Sequence, residues 1–169
     1  MAYVITDNLI GAQAIASTST TQKHPIMKEI KATDSSYGEG AFIYAKASAA
    51  VVVGDTVWIN FATGYAQVIT DALAKAGVGL PAMSMSAVAA DEWAWFMRSG
   101  THTAGRIKPG VEGNTALYVN ASAGTLGGTT LSNMIGGIVA VTSATTTVGA
   151  VTCHLTFPYI VRAVSLMAV

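Results

Sequence analysis

The chain has 169 residues, with nine basic and nine acidic side chains and a formal net charge of zero. Hydrophobic residues make up 51% and charged residues only 11%, well under the usual quarter for a soluble domain. This length suits one domain with a substantial core. The lack of a basic excess argues against a nucleic-acid partner.

Membrane insertion is not expected. The apolar run from Ala41 to Gly54 is too short to span and contains Lys46. The opening Met1-Ala-Tyr-Val-Ile-Thr-Asp lacks the basic start and long apolar run of a secretory signal. Cys153 is the single cysteine, so no intrachain disulfide is expected. These features predict a protein made and used without secretion.

Residues 1–36 read as an amino-terminal arm with a lead-in strand. Tyr3-Val-Ile-Thr and Ile26-Met-Lys-Glu-Ile-Lys-Ala are short β-prone runs, separated by the polar, aperiodic Ser17-Thr-Ser-Thr-Thr-Gln-Lys. Pro25 favours extended backbone at His24. Tyr3, Val4, Ile5, Leu9 and Ile10 make the segment more apolar than a solvated tail requires. It reads either as a mobile terminus or as an arm that orders on a partner.

From Tyr37 the pattern is strand, turn, strand, turn. Tyr37-Gly-Glu-Gly-Ala-Phe-Ile-Tyr-Ala-Lys46 leads into Val51-Val-Val-Gly-Asp-Thr-Val-Trp-Ile-Asn60, with β-rich runs broken by Gly54 and Asp55. The pattern predicts an all-β protein: one β-barrel or β-sandwich over residues 37–159, followed by a carboxy-terminal tail, 160–169. Residues 70–77 are the one candidate helix, with Thr70 to cap it and Gly77 to end it, though a structured loop fits as well. In Trp93-Ala-Trp-Phe-Met-Arg98, alternation puts Trp93, Trp95 and Met97 on one face and Ala94, Phe96 and Arg98 on the other. Phe96 predicts that the second face is partly covered too.

The chain resembles itself. Gly54-Asp-Thr-Val-Trp-Ile-Asn-Phe-Ala-Thr-Gly64 is similar to Gly113-Asn-Thr-Ala-Leu-Tyr-Val-Asn-Ala-Ser-Ala-Gly124, and the register continues from Gly79 to Gly137. Two copies are too few for a solenoid. They predict two pseudo-repeated halves. Between Glu112 and Arg162 there is no Asp, Glu, Lys or Arg. Strand edges are usually protected by charge, so this run predicts a protein-covered surface and a homo-oligomer. Leu117, Tyr118, Leu126, Leu131 and Met134 are its candidate interface residues.

No catalytic or metal-binding constellation is read. His24, His102 and His154 lack metal-ligand spacing. Cys153 and His154 are neighbours, which a strand points to opposite faces. The Gly127-Gly128 pair has no downstream Lys-Ser/Thr for phosphate. Trp93 and Trp95 could stack on sugar if exposed, but core packing is the commoner role. No enzyme, cofactor, metal or small-molecule substrate is expected.

His24-Pro-Ile-Met-Lys-Glu-Ile-Lys-Ala, the Tyr37 block, Val52-Val-Gly-Asp-Thr-Val, Ala87-Val-Ala-Ala-Asp-Glu-Trp-Ala-Trp-Phe and the Ala116 block resemble a family of tailed-bacteriophage capsid decoration, or cement, proteins. The resemblance spans residues 24–158. The sequence departs from the family pattern at Ala41 and at Gly127-Gly128, where acidic residues are usual. The resemblance implies an all-β virion protein on the outer capsid surface, made in the host cytoplasm. It also implies a trimer that binds the major capsid protein and cements neighbouring subunits. On that reading Tyr3, Ile5, Leu9, Ile10, His24 and Pro25 are candidate capsid contacts. The alternative is a receptor- or carbohydrate-binding head module that exposes Trp93, Trp95 or Tyr118.

Overall fold

The computed structural model describes residues 2–7, 11–128, 133–144 and 148–161, and it is all-β apart from one short helix. The amino-terminal half contains β1 (Val4–Ile5), β2 (Glu29–Asp34), β3 (Gly38–Ala47), β4 (Thr56–Asn60) and β5 (Tyr65–Val68). After these come helix α1 (Asp71–Ala76), β6 (Gly79–Ser84) and the long β7 (Trp93–Ile107). The carboxy-terminal half adds β8 (Ala116–Val119), β9 (Leu126–Gly127), β10 (Met134–Ala140) and β11 (Gly149–Val161).

Local chemistry sets the turns. Between β4 and β5, the Asn60 side-chain carbonyl accepts the N–H groups of Ala62 and Thr63. Asn is suited to this because its side chain mimics a turn carbonyl. At α1, the Thr70 hydroxyl accepts the Leu73 N–H and Gly77 closes the helix in the left-handed region. Both caps stand where the sequence predicts them, and the helix forms in preference to a structured loop.

The strands close into two circuits. β3 pairs in parallel with β5, β5 pairs with β4, β4 with β6, β6 with β7, and β7 returns to β3. The second circuit repeats the plan. β7 pairs in parallel with β9, β9 with β8, β8 with β10, β10 with β11, and β11 returns to β7. The molecule is therefore two five-stranded barrels that share β7. Closure removes the exposed edges that an open sheet would leave.

The predicted duplication is present as repeated pairing, one residue away from the predicted register at the first turn. There Gly54 (φ 79°) is matched by Asn114 (φ 62°) and not by Gly113. Ala47 opposite Ala66 is matched by Ile107 opposite Leu126. The isolated bridge Val51–Val88 is matched by Val111–Ala144. Gly54 has a specific reason to be glycine in the first copy. Its φ is 79°, and an added Cβ would lie 1.6 Å from the Ala104 carbonyl oxygen on β7.

Alternation fills both barrels. Ala47, Val51, Val57, Ile59, Ala66, Ala94 and Phe96 are buried together in the first. The matching positions of the second are Ile107, Val111, Leu117, Val119, Leu126, Val151 and Cys153, which belong to the larger core cluster. The other face of β3 and β7 is covered as well. There Phe42, Tyr44, Trp95 and Met97 pack with Ile30 and Ala32 of β2, and with Tyr3 and Ile15 from the amino-terminal segment. Both faces of the Trp93–Met97 run are thus covered, more fully than the sequence pattern required. Each fully buried aromatic or aliphatic side chain of this kind contributes roughly 1.5–3 kcal/mol.

Candidate interaction surfaces

The amino-terminal segment is extended but lies on its own body. Tyr3 is 8% exposed, packs edge-on against Phe42 and donates its hydroxyl to the Thr101 carbonyl at 3.0 Å. The Ala2 N–H donates to Asp34, whose carboxyl is held below its ordinary range by backbone N–H donors, first that of Ser36. His24 is 7% exposed, between Tyr44 and Trp95. The expectation that Tyr3 and His24 present themselves to a partner is therefore corrected: both are core residues of the chain. Aromatic rings that find a fitted apolar wall in their own fold are not left in water. Ile5 is half-buried and Pro25 is exposed. Leu9 and Ile10 lie outside the described residues.

The candidate oligomer residues divide by strand parity. Leu117 and Leu126 are fully buried inside the second barrel, so neither can form an intersubunit surface, and that expectation is corrected. Tyr118 and Met134 are half-buried cross-strand partners on β8 and β10. Leu131 lies outside the described residues. Among the described residues the open apolar ones of this half are others: Val139, Val141, Val148, Phe157 and Tyr159, with Phe157 and Tyr159 more than half exposed. Alternation around the inward Ile138 and Ala140 is the sequence signal that identifies Val139 and Val141. Phe157 and Tyr159 follow an irregular stretch in which Phe157 has a φ of 50°.

A groove of about 560 Å³ runs between the first barrel and the end of β11. Its lining includes Trp58, Phe61, Leu80 and Pro81 of the first barrel and Phe157 and Tyr159 of β11. At its side, Arg98 pairs with Glu29 at 3.1 Å and stacks over the Phe157 ring at 5.6 Å. Burial weakens the hold of Arg98 on its proton, while Glu29 opposes that effect. The aromatics named as possible sugar platforms are elsewhere: Trp95 is fully buried and Trp93 is half-buried against Tyr44.

The reactive side chains have structural partners. His102 Nδ1 accepts the Ala104 N–H at 3.1 Å, and its Nε2 lies 2.9 Å from the Ser84 carbonyl. An accepting Nδ1 leaves Nε2 to carry the proton, so the neutral ring satisfies both contacts. Burial is the main cause that brings its pKa down to about 4. Burial also pushes the Cys153 thiol up to about 12, which suppresses the thiolate that nucleophilic chemistry needs. His154, next in the chain, is exposed and lies 3.4 Å from the Thr101 hydroxyl. Among the described residues there is no group of His, Cys, Asp and Glu able to hold a metal ion. Compared with known proteins, the chain matches no family model, no curated protein and no solved structure.

Proposed function

We propose that the chain is a structural virion protein of the capsid decoration class. It seats on the outer surface of a tailed-phage head, binds the major capsid protein and ties neighbouring capsid subunits together, as a homotrimer and without catalysis. The observation that carries this reading is the set of exposed apolar side chains on or next to β10 and β11, Val139, Val141, Phe157 and Tyr159, in a stretch of chain without Asp, Glu, Lys or Arg. Apolar groups gathered on one face mark interaction surfaces. On a lattice, many weak contacts repeated by each copy act as one clamp. The doubly closed scaffold supports the same reading, because a rigid body holds those contacts in fixed geometry.

The test is co-sedimentation of the purified chain with undecorated empty heads, alongside sedimentation of the free chain to read its mass. The double variant V139E/Y159E is expected to keep the fold, since both side chains face out, and to lose at least tenfold in affinity. Undiminished binding by that variant would remove this surface from the interface. No binding by the unmodified chain would remove the capsid reading itself. A second reading, glycan recognition on a phage head, is favoured by the exposed rings of Phe61, Phe157 and Tyr159 along the groove, with Trp58 buried beneath them as a reporter. A change in tryptophan emission on adding glycan would support it.

A further inference from the structure

Gln13 has all of its polar groups engaged where the amino-terminal segment crosses β3 and β7. Its N–H donates to His24 Nε2 at 3.0 Å, and its carbonyl accepts the Trp95 indole N–H at 2.9 Å. Its side-chain oxygen accepts the Tyr44 hydroxyl at 3.1 Å, and its amide nitrogen donates to the carbonyls of Ser17 and Trp93. The Lys23 N–H donates to the Tyr44 oxygen, and Ser19 forms an antiparallel bridge with Trp93. Beyond His24 the chain turns sharply. Lys28 N–H bonds back to the Pro25 carbonyl, and Met27 sits at a φ of 63°, a strained value for a side chain of that kind.

We infer that residues 11–24 form a latch over β3 and β7 that is closed by neutral His24 and opened by its protonation. The reason lies in donor and acceptor count. Because Nε2 receives an N–H, it is the nitrogen without a proton, and Nδ1 holds the one proton of the neutral ring. A second proton on Nε2 would face the Gln13 N–H with another N–H. The bond is lost and two donors are forced together in a buried site. The rings of Trp95 and Tyr44 remain beside an imidazolium and favour a cation to some degree, but neither can accept from Gln13. The ionisable group packed against His24 is Tyr44 on β3. β7 offers the non-ionising Trp95, and Lys23 is the chain neighbour. The next charges along those strands, Lys46 and Arg98, are paired to Asp91 and Glu29. Burial lowers the His24 pKa, which agrees with a ring kept neutral when the latch is shut.

The inference is independent of any capsid, because it is read on the isolated full chain. The experiment is amide hydrogen exchange from pH 7.5 down to 4.5, corrected for intrinsic rates. Protection at Gln13, Ser19 and Lys23 is expected to fall at least tenfold at the acid end, while Trp95 and Met97 in β7 stay protected. In H24Q, which offers an acceptor that does not titrate, the fall should vanish. H24F should exchange fast at every pH. Nitrogen shifts of the His24 ring in the unmodified protein give a second reading, with the proton expected on Nδ1 at neutral pH. Constant protection across the range, a fall that persists in H24Q, loss at Met97 in the same step, or a proton on Nε2 would each overturn the latch.

Discussion

The two barrels share one pairing plan and fill it in opposite ways. In the first, Ala47 faces Ala66 and the shared strand supplies bulk through Phe96. In the second, the matching pair is Ile107 and Leu126, and Cys153 stands at the position of Phe96. Large and small have changed places while both interiors remain filled, as close packing demands. The exteriors diverge further. The first barrel carries the Lys46–Asp91 and Arg98–Glu29 pairs and is overlaid by the amino-terminal segment. Both barrels expose apolar side chains, Phe61 and Val78 in the first and Val139, Val141 and Tyr159 in the second, but β8 to β11 have no Asp, Glu, Lys or Arg of their own to offset them. A duplicated scaffold is thus held to constant volume inside and left free to specialise outside.

The most severe way to test that equivalence is at the left-handed turn residue that heads each repeat, Gly54 in the first and Asn114 in the second. Gly54→Ala is expected to cost more than about 4 kcal/mol, a range reached only by clash or core disruption. Its new methyl meets backbone at 1.6 Å in a left-handed conformation. Asn114→Ala, which puts a methyl side chain at the matching left-handed φ of 62°, should cost about 1–2 kcal/mol. Urea midpoints measure both, and equal losses would break the comparison.

The interior swap comes next. Phe96→Ala should cost about 3–5 kcal/mol, whereas Cys153→Ala should cost about 1 kcal/mol, near the value of one small apolar group. Cys153→Phe, which copies the first barrel into the second, should destabilise by about 1–3 kcal/mol through overpacking. Adding Leu126→Ala should restore part of that loss if the two positions trade volume. No restoration in thermal unfolding would show that they do not.

His102 sharpens the view of the seam. It stands on β7 and bonds to Ser84 at the end of β6. The unfolded ring takes a proton below about pH 6.5, and the folded ring does so only at about 4. The unfolded state therefore binds more protons in between. The stabilisation is complete above the unfolded value and is lost as pH falls toward 4, about 3 kcal/mol over the whole window. Urea midpoints from pH 7 to 4 measure the slope, and an unchanged slope in H102Q would reassign it to other groups.

The smallest effect is at α1, a helix without a counterpart among the described residues of the second half. Thr70→Ala removes the acceptor for the Leu73 N–H and should cost about 1 kcal/mol, read as a shift in thermal midpoint.

Local rules made much of this legible in the sequence. Thr70 and Gly77 marked the helix because caps act within a few residues. The Gly54 and Gly113 blocks marked the duplication but not its register, because the same left-handed turn position takes Gly54 in one copy and Asn114 in the other, and both residue types tolerate it. Alternation separated Ala94 and Phe96 from Trp95 and Met97. Closure was not legible. Nothing local tells β7 that its first half will pair with β3 and its second half with β11. The same gap misplaced Leu117 and Leu126, since an uncharged stretch looks identical whether its leucines face a neighbour or the inside of a barrel. The amino-terminal segment misled for a related reason. Its anchors, Tyr3, Gln13 and His24, are widely spaced and have no period, and their partners Thr101, Tyr44 and Trp95 lie far along the chain.

A strand common to two closed circuits also imposes an order in time. During synthesis, every strand of the first circuit exists once β7 has emerged, so that barrel can shut while β8 to β11 are still being made. The second half of β7 then waits without a full strand partner, tied to the first barrel where the Arg106 N–H donates to the Gly54 carbonyl and its guanidinium to Asp55. Such an edge recruits wrong partners. Thr101, Thr103 and Arg106 are only partly buried along that edge even in the finished fold. Their polarity keeps the waiting edge soluble until β11 arrives to close it.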